Sequence, residues 1–462
     1  MFRTSLKVVL AAAAFATFIY SWDFNMMPPV LPFYVGQNAG ALGIDPKGVG
    51  AFLGWVMAGY ALVNCGGNLV FGWASDIRGR RIMLTIGFLG CAIALAFYER
   101  MTTAGGLLAI RCIHGFFSGA LGPCTAAILA DTAPQERQGG RMAMWAIFVS
   151  VGTLIASPLA GWLKSAFGAG TVWTVMAVAY ALTTVVVWLL IPDTRKLFAG
   201  ETTPAAQSAP DARVRRWWFL GRIIQLILCL LPGLRRWGFL GRINIWIACV
   251  GIMALFWVMG AWVTVFTQHL TALGKAKVIG VDPSMAFGML MGLNGFSVIA
   301  MGGQLGRLCD LIGRKPLLIT AFGLLTLAPF LVATSSLPII VIGWGLCYGL
   351  GGVMIWSSVM AVMTDELQPH ERGTGMGLFM IFPTLGIGIG SPVIGILSDV
   401  LGLGTAMTVG CVLPAVAFIM SFFARRRVEC KPVSGRLKTA LGISAAVYIV
   451  IVFAMIPMLG PK

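Results

Sequence analysis

Apolar and polar positions alternate along this chain on the scale of whole helices. Thirteen predominantly apolar runs fall at about 8–33, 50–73, 82–98, 104–130, 143–163, 171–191, 244–267, 284–306, 316–334, 338–362, 374–397, 404–424 and 440–459. A helix of roughly 17–25 apolar residues crosses a bilayer core of ~30 Å. Each run therefore predicts one membrane span, in the order six, a polar gap, six, and one more.

Composition narrows this further. The 462 residues are 58% hydrophobic and 11% charged, with a mean hydropathy of +0.89. A soluble domain carries about 25% charged residues, so a soluble enzyme, a disordered protein and a nucleic-acid-binding module are excluded. Glycine supplies 59 positions, as expected where helix backbones approach closely in lipid. The ten cysteines form no C-x-x-C pair and mostly lie inside apolar runs. They read as small core residues, with no metal and no cofactor expected.

The net charge of +17 follows from topology. With a cytoplasmic N-terminus and alternating spans, 26 Lys and Arg fall inside, 6 fall outside, and Arg111 lies within a span. That asymmetry is the positive-inside pattern and needs no nucleic-acid partner. It predicts a multi-pass protein of the plasma (bacterial inner) membrane. Arg3 and Lys7 precede an apolar run in the manner of a signal peptide. No small-residue cleavage site follows and the run continues to Pro32, so it reads as the first span.

The two sets of six repeat each other. Gly72, Asp76 and Gly79 recur 234 residues later as Gly306, Asp310 and Gly313, and Asp131 recurs as Asp365. Gly152, Ser157, Pro158 and Gly161 recur at the same offset as Gly386, Ser391, Pro392 and Gly395. Asp45-Pro46 and Asp282-Pro283 are helix-start signals for the second helix of each half. The expected organisation is a six-helix bundle at 1–195, a cytoplasmic linker with an interfacial helix at 196–243, a six-helix bundle at 244–427, and a basic segment with a thirteenth span at 428–462. Parallel repeats of this kind place a site between the halves.

Gly72-Trp-Ala-Ser-Asp76-Ile-Arg78-Gly79-Arg80-Arg81 and Gly306-Arg-Leu-Cys-Asp310-Leu-Ile-Gly313-Arg314-Lys315 resemble motif A of the major facilitator superfamily, G-x-x-x-D-x-x-G-R-[RK]. The resemblance covers about residues 8–427 and implies the fold of that family, an all-α membrane protein of two repeat-related six-helix bundles. It also implies a gating role for Asp76, Arg80, Arg81, Asp131, Arg137, Asp310, Arg314, Asp365 and Arg372. The glycines Gly72 and Gly306 are expected to pack closely against the other half. Leu108-Ala-Ile-Arg111-Cys-Ile-His114-Gly115 is similar to motif B. Gly152-Thr-Leu-Ile-Ala-Ser157-Pro158-Leu-Ala-Gly161 is similar to motif C, the family's antiporter signature, with Ser157 in place of glycine and one residue inserted. Pro158 with Gly161, and Pro392 with Gly395, are expected to kink their helices and let them pack tightly.

A charge inside a span costs several kcal/mol and usually marks function. Asp23 in the first helix and Arg111 in the fourth are the two cases, and His114 lies one turn beyond Arg111. Helical rise sets both ~10–15 Å below the same membrane face, so they can share one cavity. Burial favours a neutral carboxyl and a nearby arginine favours the charged form, so such a carboxylate can gain and lose a proton. The expectation is proton coupling through Asp23, tuned by Arg111 and relayed by His114, with a static Asp23–Arg111 ion pair as the rival. Asn25, Trp257, Trp262, Gln268, Asn294 and Trp356 are candidate cavity contacts for a small amphipathic solute.

The chain is thus expected to be a secondary transporter working by alternating access, by proton-coupled export of a small organic solute. Its expected partners are that substrate, protons and lipid, and it is expected to act as a monomer. Uptake of a small anion or metabolite by symport or uniport, and a non-transporting sensor, are the alternatives. No G-x-S-x-G, H-E-x-x-H or P-loop occurs, so no enzyme is expected. Arg215-Arg-Trp-Trp and Arg235-Arg-Trp in the linker suit an anionic lipid surface.

Overall fold

A computed structural model describes residues 6–132, 138–192, 242–367, 379–424 and 435–461. Among these residues the chain is helical throughout, and thirteen spans are long and apolar enough to cross a membrane. They are α1 (Leu6–Asn38), α2 (Pro46–Ser75), α3 (Arg80–Arg100), α4 (Ala104–Leu129), α5 (Met144–Phe167) and α6 (Ala169–Leu190). The second set is α7 (Ile243–Lys275), α8 (Pro283–Ile312), α9 (Arg314–Val332), α10 (Leu337–Glu366), α11 (Ile381–Leu401) and α12 (Leu403–Phe422). The last is α13 (Leu437–Leu459). The expected interfacial helix of the linker lies outside the described residues, as do Arg137 and Arg372.

The helix starts follow local chemistry. Asp45 accepts from the Lys47 amide at 2.9 Å and Asp282 accepts from the Ser284 amide at 2.8 Å. Each aspartate caps a helix whose first residue is proline. Gly79 (φ 99°) and Gly313 (φ 87°) turn the chain from α2 to α3 and from α8 to α9. That backbone region strongly favours glycine.

Three helices are irregular where function is expected. Helix α1 is interrupted between Met26 and Leu31, around Pro28-Pro29. Helix α7 contains a π-helical segment, Trp262–Phe266, and α10 another, Gly343–Leu350. Pro158, by contrast, sits inside an uninterrupted helix.

The halves meet along two seams, α2 with α11 and α5 with α8. A Cβ on Gly54 would stand 2.5 Å from the Ser391 carbonyl oxygen, and one on Gly288 would stand 2.3 Å from that of Ser157. Gly161 and Gly395 face Ser284 and Gly50 in the same way, at 2.5 and 2.2 Å. Only glycine admits these approaches. Asp399 closes the end of the first seam by accepting from the Gly50 amide at 3.1 Å and the Ala51 amide at 2.7 Å. A carboxylate there also complements the N-terminal dipole of α2. At the same end of the second seam, Lys164 lies 3.7 Å from Asp282.

The tight packing runs from this end through Gly295 on α8 and then stops. Gly303 and Gly306 on α8, and Gly66 and Gly72 on α2, have no heavy atom within 4 Å of an added Cβ. The expected close packing of Gly72 and Gly306 is therefore absent from this conformation. The seams diverge toward the basic loops and are closed toward Asp399.

Helix α13 lies against α8 and α10. Tyr448 donates to the Gly345 carbonyl at 2.7 Å, Gln304 donates to Ser444 at 3.0 Å, and the Gly280 amide donates to the Leu459 carbonyl at 2.8 Å.

Candidate functional site

Asp23 sits on the last turn of α1 before the proline break and is fully buried. Its Oδ2 accepts from the Tyr60 hydroxyl of α2 at 2.6 Å, and from the Ser118 hydroxyl of α4. Its Oδ1 lies 2.9 Å from His114 Nε2, a close approach in which neither atom makes a hydrogen bond of good geometry. Two hydroxyl donors and one imidazole, from two other helices, therefore surround one carboxylate. Such charge-assisted bonds are each stronger than a neutral one.

The far side of the imidazole fixes its proton. His114 Nδ1 is 3.1 Å from the Tyr98 hydroxyl and 3.4 Å from an Arg111 guanidinium nitrogen. A guanidinium only donates, so Nδ1 accepts, and the ring proton resides on Nε2 facing Asp23. Arg111 is 3% exposed and lies over the Tyr60 ring, 3.9 Å from its centroid. A cation held on an aromatic face is stabilised without a carboxylate partner. Tyr60 and His114 thus stand between the Asp23 carboxylate and the Arg111 guanidinium in one buried cluster.

The rival reading, a static Asp23–Arg111 ion pair, is not what the structure holds. Asp23 and Arg111 do share one cluster with His114, yet they make no direct salt bridge. Tyr60, Ser118 and Tyr98 were missed by sequence reasoning. Ser118 lies four residues beyond His114 and seven beyond Arg111, on one helical face, and that spacing was a usable signal. Tyr60 and Tyr98 come from α2 and the end of α3, and no spacing announces them.

The proline break leaves its own mark. An intact helix would pair the Asn25 carbonyl with the amide of residue 29, and Pro29 has none. Ser157 of α5 donates its hydroxyl to that carbonyl at 2.9 Å. The Asn25 side chain donates back to the Ser21 carbonyl at 2.6 Å.

The remaining candidate residues occupy the second half and do not join the Asp23 cluster. Trp262 is buried and stacks on Trp344 at 4.2 Å, within a group that includes Phe266 and Tyr348. Gln268 donates to the Thr264 carbonyl of its own helix at 3.2 Å. Trp356 is 37% exposed, with Phe256 6.4 Å away. The Trp257 indole nitrogen and the Asn294 Oδ1 are enclosed without a hydrogen-bond partner. At the 234-residue offset Trp257 corresponds to Asp23, Asn294 to Tyr60, Gly345 to Arg111 and Tyr348 to His114. The charged cluster is therefore not duplicated.

At the basic end of the second half, Arg314 lies 3.0 Å from Asp310 and 3.0 Å from Asp365, and donates to the Cys309 carbonyl at 2.9 Å. Among the first-half counterparts, Arg80 donates to the Ser75 hydroxyl at 2.7 Å. Arg81 lies over the Trp188 ring at 4.3 Å. Asp76 and Asp131 stand near the ends of their helices.

Repeat-related bundles, two glycine-lined seams and a buried ionisable cluster describe a secondary transporter. The Major Facilitator Superfamily model matches residues 13–281 and 272–460, and the chain belongs to that family. It is an integral multi-pass membrane transporter and not an enzyme. An uncharacterized MFS-type transporter of Methanocaldococcus jannaschii is 19% identical over 411 residues, 89% of this chain and 96% of that protein. A multi-drug resistance efflux pump PmrA homolog of Lactococcus lactis is 27% identical over 167 residues, 36% of this chain and 40% of the pump. A bacterial homolog of the human lysosomal transporter Spinster, in an inward-facing and occupied conformation, superposes with a TM-score of 0.68 at 15% identity. That match covers 92% of this chain and 97% of the other.

Proposed function

We propose that this chain is a proton-coupled exporter of small organic solutes, with Asp23 as the proton carrier. The observation that carries the reading is the fully buried Asp23 carboxylate, balanced by Arg111 only through Tyr60 and His114. Adding a proton to Asp23 removes the negative charge and leaves Arg111 uncompensated in a site with little water. An anionic or polar group of a solute, or water, then becomes the favourable partner for the guanidinium. Releasing the proton restores the balanced cluster. The cycle therefore links proton occupancy to what else the cavity tolerates.

Efflux-pump relatives support the export direction. The excess of basic residues on the Arg80 and Arg314 side supports a cytoplasmic location for that side and for the N-terminus, in a bacterial inner membrane. On that orientation the present conformation faces inward. The two bundles at 1–195 and 244–427 would rock about the glycine seams, and Trp257, Asn294 and Trp356 would meet the solute. Arg137 and Arg372 are assigned to gating on the motif resemblance alone.

The test is proton movement in everted vesicles under an imposed pH gradient, with cationic, neutral and anionic solutes added in turn. Wild type is expected to dissipate the gradient with one solute class, and Asp23→Asn is expected to abolish the response. An unchanged response in Asp23→Asn refutes the carrier role. Solute accumulation driven by the opposite gradient refutes export.

A further inference from the structure

Ser157 touches both the proton-site helix, close to Asp23, and the opposite half of the molecule. Its hydroxyl holds the Asn25 carbonyl at 2.9 Å, two residues after Asp23. Its own carbonyl oxygen is the atom that a Cβ on Gly288 of α8 would meet at 2.3 Å. The next residue, Pro158, continues the contact, with its ring 2.9 Å from a Cβ on Gly292. The serine is itself fully buried.

The bond exists because of a specific defect. Pro29 leaves the Asn25 carbonyl without a helical partner, and a buried carbonyl without a partner is costly in lipid. Ser157 supplies the missing donor from another helix. The end of the Asp23 segment is thereby tied to α5 and not to its own continuation. A shift of that segment has to carry Ser157 with it or break the bond.

The other half lacks this device. Ser391, at the repeat position of Ser157, is fully buried and its hydroxyl has no partner. Its carbonyl still packs on Gly54, so the seam is conserved between repeats and the tie to the first helix is not. Helix α7 has no proline at the corresponding place and carries the π-helical segment Trp262–Phe266 instead. The tie occurs in the half that holds Asp23.

We propose that Ser157 is a positioning residue that transmits the protonation state of Asp23 to the α5–α8 seam through the Asn25 carbonyl. This rests on the carrier role of Asp23. The consequence is that proton loading loosens or tightens the seam on which the halves rock. A serine before Pro158 serves this link as a glycine would not, because glycine has no hydroxyl to offer.

The experiment reads the seam directly, with protons as the only ligand. Paramagnetic labels on non-natural residues at 147 and 299, both outward-facing on α5 and α8 just past the last tight contact, report the separation from mildly acidic to mildly alkaline pH. Wild type is expected to redistribute between a short and a long distance. Ser157→Ala is expected to weaken that pH-driven redistribution by roughly 2- to 30-fold, the range of a mutational change in coupling. Pro29→Ala with Ser157→Ala returns an amide to the Asn25 carbonyl. This double variant is expected to recover thermal stability and still fail to respond to pH. A double variant that recovers the full pH response, or a Ser157→Ala that responds as wild type, overturns the proposal and leaves Ser157 a purely structural donor. Asp23→Asn is the control: if it still redistributes with pH, the carrier reading falls. If it is silent while Ser157→Ala responds, only the link through Ser157 falls.

Discussion

The Asp23 carboxylate and the Arg111 guanidinium belong to one buried cluster and do not touch. Tyr60 donates its hydroxyl to the first at 2.6 Å and offers its ring face to the second at 3.9 Å. One aromatic residue thus serves both charges by different interactions. An intervening neutral group also leaves each charge free to change partner without dragging the other. A direct ion pair in lipid would be harder to open, since each charge would then be buried alone.

Tyr60→Phe separates the two roles. The ring beneath Arg111 remains and the bond to Asp23 is lost. A hydrogen bond to a charged group contributes about 1.5–3 kcal/mol, so proton-driven transport is expected to fall by roughly tenfold or more. Vesicle transport assays on folded, correctly inserted protein check this. Activity equal to wild type would show that the hydroxyl has no part in the cycle.

Arg111→Lys keeps the charge and loses the flat guanidinium. An ammonium is a compact point charge that cannot lie over Tyr60 and reach His114 Nδ1 as a planar fork does. The expected outcome is a protein that inserts normally and transports poorly. Full transport by the lysine variant would reduce the role of Arg111 to its charge.

Gly288→Ala and Gly306→Ala are predicted to differ sharply. The first places a Cβ 2.3 Å from the Ser157 carbonyl oxygen, and the second meets nothing within 4 Å. Overpacking costs about 1–3 kcal/mol, so Gly288→Ala is expected to lower the thermal midpoint in detergent and to bias the protein away from the conformation closed at the Asp399 end. Gly306→Ala is expected to leave the midpoint unchanged or raise it. Equal loss in both would mean that the seam is not packed as described.

Asp399→Asn tests the closed end. The side chain can still accept a hydrogen bond from Gly50 or Ala51, and the charge facing the N-terminus of α2 is gone. That electrostatic contribution is about 0.3–1 kcal/mol, equivalent to a roughly two- to fivefold shift toward opening. The alkylation rate of a cysteine introduced at Met289, in the adjoining seam, measures it. No change in rate would assign closure to the glycine contacts alone.

Much of this protein was legible from its sequence because lipid is an exacting solvent. Thirteen apolar runs predicted thirteen spans, since a helix must be apolar along its length to enter the bilayer. The constant 234-residue offset between motifs predicted paired bundles. Asp23 and Arg111 stood out because a charge within a span is too costly to keep without a use. Ser118 was within reach, one turn beyond His114 on the same face. What only the tertiary structure decided is which side chains meet across helices. Tyr60 and Tyr98 join the cluster because of how α2 and α3 are rotated and tilted against α4, and hydropathy along a chain carries no such angle. The expected packing of Gly72 and Gly306 failed for a related reason. A transporter has more than one arrangement of its halves, and the contact each glycine makes depends on the arrangement adopted. The bond from Ser157 to the Asn25 carbonyl combines both sources. Pro29 has no amide to give the Asn25 carbonyl, and the fold decided which residue on another helix supplies the donor.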